Sequence, residues 1–211
     1  MKIYGVMLSP FVRKVHVICA EKGLSVESVP VGMGSKDPGF LAASPFRKIP
    51  AIDDDGFLLS DSSAIAHYLE AKYPAVPMLP ADAEGRARAV QYDEIADTVL
   101  VPAFAKLFFN RIVAPRFLKR EGDLAAADKA EAEELPPLFD WVETVCTDGW
   151  LVGKAFGLAD IAMAAPFVNI EMAGCVPDAT RWPRLSAWLG RVRGRASFTR
   201  LAAVEAAILR S

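Results

Sequence analysis

The strongest constraint in this 211-residue chain is a change of pattern near residue 80. Before it, strand-like and helix-like periodicities alternate; after it, only helical ones occur. "KIYGVM" is a short apolar run suited to a buried strand, and "SVESVPV" alternates as a strand does. Between them, residues 10–21 place Val12, Val15, His16 and Cys19 at helical spacing. Residues 32–45, rich in Gly, Ser and Pro, read as a loop. "PAIDDDGFLLSDS" reads as two strands turning at Asp55-Gly56, and residues 62–72 close this half as a helix. Residues 73–85 carry three prolines and no periodicity, as a linker does. Helical patterns then cover 86–109, 124–146, 158–172 and 182–209, with Pro102 and Pro166 expected to bend or break theirs. The expected architecture is an α/β N-terminal domain, 1–77, a linker, 78–85, and an all-α C-terminal domain, 86–211.

Composition narrows the class of function. The chain is 53% apolar and 24% charged, as ordinary globular proteins are, and long enough to bury a real core. Its net charge of −2 suggests neither a nucleic-acid nor a membrane partner. Charge is uneven, with nine acids against Lys129 in residues 121–148 and seven arginines against Glu205 from Arg181 onward. Without interleaved aromatics or a continuous basic stripe, these read as solvated helical faces. Cys19, Cys146 and Cys175 are odd in number and contain no C-x-x-C, which disfavours a disulfide framework and a zinc site. No metal is expected. The opening "MKIYGVMLSP" lacks the apolar core of a signal peptide, and residues 161–170 are too short to cross a bilayer, so the cytoplasm is the expected compartment.

Two helix starts attract chemical interest. Ser9-Pro10 and Asp61-Ser62 each follow a strand and open a helix. Ser and Asp are preferred N-caps, so capping explains both. A helix start also holds anions, so two of them at one sheet edge suit two anionic groups of one extended ligand. The Ile49-Pro50 step just before a strand is a candidate cis peptide. In "FGLADIAMAAPF", Gly157 occupies a cap position with Asp160 three residues on, and Phe156 and Ile161 have the spacing of a hydrophobic staple, so Asp160 reads as structural.

These segments carry a resemblance. The first ~80 residues resemble the thioredoxin-like domain of cytosolic glutathione transferases, and the helical remainder resembles their second domain. "SPFVRKV" stands where thioredoxins carry C-P-x-C; with Ser9 and Val12 there, dithiol exchange is not available. "KIPAI" and "DSSAI" resemble the family's K-[IV]-P-x-[LI] and [ED]-S-x-A-I segments, and the match is to serine-type members, bacterial, tau and phi among them. The resemblance implies that Ser9 donates a hydrogen bond to the sulfur of glutathione. It implies that Ile49, held by cis-Pro50, pairs its backbone with the cysteinyl unit, and that Lys48 lies near the glycyl carboxylate. Asp61 would face the γ-glutamyl amine and Ser62 its carboxylate.

The implied activity is a glutathione S-transferase: thiolate attack on an electrophilic, apolar substrate in detoxification, by a cytoplasmic homodimer. Glutathione is then a co-substrate, with no permanently bound cofactor. Phe11, Phe104, Phe108 and Arg111 are candidates for the electrophile pocket, although core packing accounts for the phenylalanines equally well. Glutathione-dependent dehalogenation or isomerisation shares the thiolate, and a non-catalytic scaffold on the same fold is a further alternative. Tyr4 reads as core or a domain contact, His16 and His67 as packing or surface, and Lys14 as support for the local field or packing.

Overall fold

The computed structural model describes residues 1–32 and 34–210. These form two compact units, one of Met1–Leu79 together with residues 194–210, the other of Pro80–Arg193.

The first unit is built on a four-stranded sheet of β1 (Lys2–Tyr4), β2 (Glu27–Val29), β3 (Ala51–Asp54) and β4 (Phe57–Ser60). Their order is β2-β1-β3-β4, with β1 parallel to β2 and antiparallel to β3. This is the mixed sheet of a thioredoxin-like domain. The β3–β4 hairpin turns where the sequence indicated, because Asp55 (φ 53°) and Gly56 (φ 91°) both adopt the left-handed backbone that a two-residue turn requires. Asp53 Oδ1 accepts the Gly56 N–H at 2.9 Å and fixes that turn.

Helix α1 (Pro10–Glu21) joins the parallel strands. Every residue from Val12 to Cys19 is buried, Arg13 and Lys14 included, since α1 packs against α3 (Ser62–Lys72) and against the C-terminal helix. Gly5, leaving β1 at φ 154°, lies so close to this helix that a Cβ would come within 2.5 Å of Val12 Cγ2. The expected loop at 32–45 contains a helix, α2 (Pro38–Ala43). Asp37 caps it, accepting the Phe40 N–H at 2.8 Å, Pro38 starts it, and Phe40 anchors it in a cluster with Tyr4, Val31, Ala43 and Ala51. Cap followed by proline at the first helical position is the signal that composition obscured.

In the second unit, α4 runs continuously over Ala83–Phe117. A window of it has mean hydropathy 1.3, enough by length and composition to cross a membrane. Its Ala89, Tyr92, Ala96, Leu100, Phe104 and Leu107 are buried, and the helix packs on α6 (Leu158–Met172). Between them in sequence, α5 covers residues 124–145. Pro102 does not break its helix. The carbonyl it would crowd belongs to Thr98, inside a π-helical segment, Ala96–Leu100, whose wider turn makes room. The same relation links Pro115 to Arg111 within Phe109–Phe117, and Pro136 and Pro137 to Ala132 and Glu133 within Ala130–Glu134. Pro166 sits inside α6, an unbroken helix with no such segment.

The single helix expected over 182–209 is two, α7 (Pro183–Arg193) and α8 (Ala196–Arg210), parted at Gly194, a residue that weakens helix interiors. The parting has a structural consequence: α8 belongs with the first unit, packed on α1.

Candidate active site

Three turns at one end of the small sheet enclose a cleft of about 430 Å³, within the usual size range of small-molecule sites. Phe11 comes from the first turn of α1. Ser44, Phe46, Lys48 and Ile49 come from the segment before β3, and Ser60, Asp61 and Ser62 from the β4–α3 junction.

Each turn has a local cause. Ser9 caps α1 from an extended backbone (φ −75°, ψ 128°), its Oγ accepting the Val12 N–H at 3.5 Å. That is a long contact and a weak cap. Capping uses a lone pair of the hydroxyl and not its hydrogen, so the capping and chemical readings of Ser9 are compatible. Ser9 is half-buried; it does not itself line the cleft, but stands two residues before Phe11, which does.

The second turn is pinned by Ser44, whose Oγ accepts the Lys48 N–H at 2.9 Å and donates to the Lys48 carbonyl at 2.7 Å. The Lys48 backbone is thereby fixed while its side chain is exposed. The following Ile49–Pro50 peptide is cis, Pro50 is buried, and the β1–β3 ladder stops at Ala51, so Ile49 lies outside it. At the third turn Asp61 has φ 82°, a left-handed conformation that costs an aspartate roughly 1–3 kcal/mol. Its Oδ1 accepts the N–H groups of Ser63 and Ala64 at 3.0 and 2.9 Å, capping α3, and Ser62 beside it is buried.

Lys48, Ile49, Asp61 and Ser62 therefore meet at one cleft with Phe11. Of the remaining pocket candidates, Phe104 and Arg111 are engaged elsewhere. Phe104 is 1% exposed and packs edge-on against Phe139 and Phe167, at 5.8 and 5.0 Å between ring centres, so its faces are spent on the core. Arg111 is clamped by Asp128, Glu131 and the Ala173 carbonyl. Phe108 is half-buried in the second unit. Ser44, Phe46 and Ser60 line the cleft without standing among the residues expected from sequence. The only prior signal was their position beside the "KIPAI" and "DSSAI" segments.

Other reactive groups are disposed of by burial. Cys19, Cys146 and Cys175 are free thiols, each pushed up to about 12 by desolvation and so poor nucleophiles. His16 is buried and pushed down to about 4, hence neutral. Tyr4 lies in the core, where burial raises its phenol. Asp160 accepts N–H groups from Leu151 (3.0 Å), Gly157 (3.3 Å) and the Trp188 indole (2.8 Å), a structural role. Gly157 has no side chain, so only the aspartate half of the capping box forms. Among the described residues no three metal-ligating side chains cluster.

The fold and cleft define a protein with a thioredoxin-like domain whose cleft is lined at its helix starts, followed by a helical domain. Residues 3–77 match the model of the glutathione S-transferase N-terminal domain, and residues 95–196 that of the C-terminal domain. The chain is 34% identical over 213 residues to glutathione S-transferase 3 of Zea mays, covering 96% of this chain and 93% of that one. It is 29% identical to a maleylacetoacetate isomerase of Pseudomonas aeruginosa, over 88% of this chain and 87% of that one. A glutathione S-transferase structure from Rhodospirillum rubrum F11 superposes with a TM-score of 0.85 at 28% identity, covering 95% and 90% of the two chains. This chain belongs to the glutathione S-transferase family.

Proposed function

We propose that the chain is a serine-type glutathione transferase that binds glutathione in this cleft and presents its thiolate to a small apolar electrophile. The sulfur lies at the start of α1, where the Ser9 hydroxyl donates to it. Lys48 faces the glycyl carboxylate, the Ile49 backbone, held by Pro50, pairs with the cysteinyl unit, and Asp61 and Ser62 receive the γ-glutamyl amine and carboxylate. The observation that carries this reading is the convergence of Lys48, Ile49, Asp61 and Ser62 on one cleft with Phe11.

A thiol of pKa near 8.5 is only partly ionised at neutral pH. Lowering that value by two units takes about 2.7 kcal/mol of preferential thiolate stabilisation. The Ser9 hydroxyl and the positive end of α1 are suited to supply it. Ser9 then stabilises an anion and stays chemically unchanged. The sulfur's electron pair forms a C–S bond, and the electrophile's electrons depart with a leaving group or take up a proton from water.

Calorimetry should detect glutathione binding. Ser9→Ala should raise the pKa of the bound thiol, followed by thiolate absorbance against pH, and slow conjugation of a test electrophile. Its melting temperature should hardly move, given the 3.5 Å cap. No binding at millimolar glutathione, or a lost Tm with an unchanged thiol pKa, overturns the reading. The isomerase relative supports a second reading, glutathione-dependent isomerisation, in which glutathione is recovered and not consumed. Cytoplasmic detoxification as a homodimer completes the proposal. The 86% exposed Phe46 is the apolar side chain that a second copy would cover, and light scattering showing one chain counts against it.

A further inference from the structure

Lys14 is 1% exposed, inside the wholly buried stretch of α1. Its Nζ donates to Ser63 Oγ at 3.2 Å, in the first turn of α3. The Ser63 N–H in turn donates to Asp61 Oδ1, the atom that also caps Ala64. A chain of hydrogen bonds thus runs from α1 to the corner of the cleft formed by Asp61 and Ser62. What the lysine adds is a fixed positive charge beneath a helix start whose dipole already favours an anion, in surroundings that screen it less than water does.

We propose that Lys14 is a positioning residue for the γ-glutamyl carboxylate of glutathione, acting through Ser63 to hold the α3 start in place and make it more positive. The inference rests on the glutathione reading above. It assigns to Lys14 a ligand-selective task, distinct from packing, although the lysine lies outside the cleft lining.

The test compares two ligands on two proteins: glutathione, and glutathione amidated at its γ-glutamyl α-carboxylate, each titrated into the full chain and its Lys14→Met variant. The expected result is a Kd for glutathione about tenfold higher in the variant, about 1.4 kcal/mol, with the Kd for the amide unchanged. Equal losses for both ligands would show a merely structural role and overturn the proposal, as would no loss for either. If neither protein binds glutathione, the glutathione reading falls and this one with it. Should Lys14→Met fail to fold, Ser63→Ala removes the hydroxyl that links Lys14 to the start of α3 and keeps the buried charge. It should weaken glutathione about threefold and spare the amide, and equal effects on the two ligands would again overturn the proposal.

Discussion

The two units place their charged groups differently. In the helical unit, Phe104, Phe139, Phe167, Trp182 and Trp188 form a chain of rings 5.0 to 6.5 Å apart, and the buried carboxylate of Asp160 is met by neutral N–H donors. Its ion pairs are half-exposed; Arg193–Glu171, for example, has side chains 31% and 21% exposed. In the cleft-bearing unit a single helix collects ionic contacts, one of them wholly buried. Arg13 meets Glu205 at 2.6 Å with both side chains 1% exposed, and Glu21 takes a two-pronged contact from Arg195 together with the Ser197 hydroxyl. Apolar packing is non-directional and tolerates rearrangement, whereas ion pairs and hydrogen bonds hold atoms at set positions. The unit in which the proposed function sets the Ser9 hydroxyl against a sulfur is the one whose central helix is tied down by directional contacts.

The sharpest way to break this contrast is a pair of apolar substitutions. Phe167→Ala should cost about 3–5 kcal/mol in the urea unfolding free energy, because it opens a cavity that the surrounding rings fill only in part. Glu205→Leu should cost about 3 kcal/mol by taking the Glu205 carboxylate away from the buried Arg13 cation, and adding Arg13→Met should recover most of it, since replacing both members of a buried pair by apolar groups is often neutral. Burial already drives Arg13 down and Glu205 up toward their neutral forms, against their mutual attraction. If the double variant is as unstable as the single one, the pair does not behave as an exchangeable crosslink. If the double variant is stable but shows an altered thiol pKa with glutathione, the directional contact matters for placing Ser9.

How far this was legible in the sequence follows the range of the interactions involved. The hairpin at Asp55-Gly56 and the caps at Ser9 and Asp61 are local devices, written in adjacent residues, and all formed as read. Helix α2 was also local, but its cap, Asp37, and its proline, Pro38, lay in a stretch whose composition suggested a loop. The cleft was half legible: Lys48, Ile49, Asp61 and Ser62 stood in motifs, whereas Ser44 and Ser60 stand just outside them and carried no signal beyond that position. Least legible were the long-range choices. Nothing near Arg13 or Lys14 names Glu205 or Ser63 as a partner, and nothing near Phe104 says that Phe139 and Phe167 will claim its faces.

A smaller effect sharpens the comparison at the end of the first unit. Lys22 Nζ donates to Glu70 at 2.7 Å and to the carbonyls of Tyr73 and Val76 at 3.0 and 2.7 Å, while Glu70 accepts the N–H groups of Met78 and Leu79. The segment after α3 is thus held by one lysine and one carboxylate. Burial pushes the Glu70 carboxyl up, but the hydrogen bonds from Lys22, Met78 and Leu79 outweigh it and hold the group below its ordinary 4.5. A depressed carboxyl stabilises the fold above its unfolded pKa, and that contribution is lost as pH falls through the lower folded value. Unfolding free energy should therefore decline below pH 4.5, in part through Glu70. Glu70→Gln should cost roughly 1–2 kcal/mol at neutral pH and flatten the acid limb, because an amide has no proton to take up. Urea midpoints measured against pH for the two proteins decide it: curves that converge in acid support the carboxylate as the latch of this segment, and parallel curves assign the acid sensitivity to Glu21 and Asp54, which are likewise held low by their cationic partners against the pull of burial.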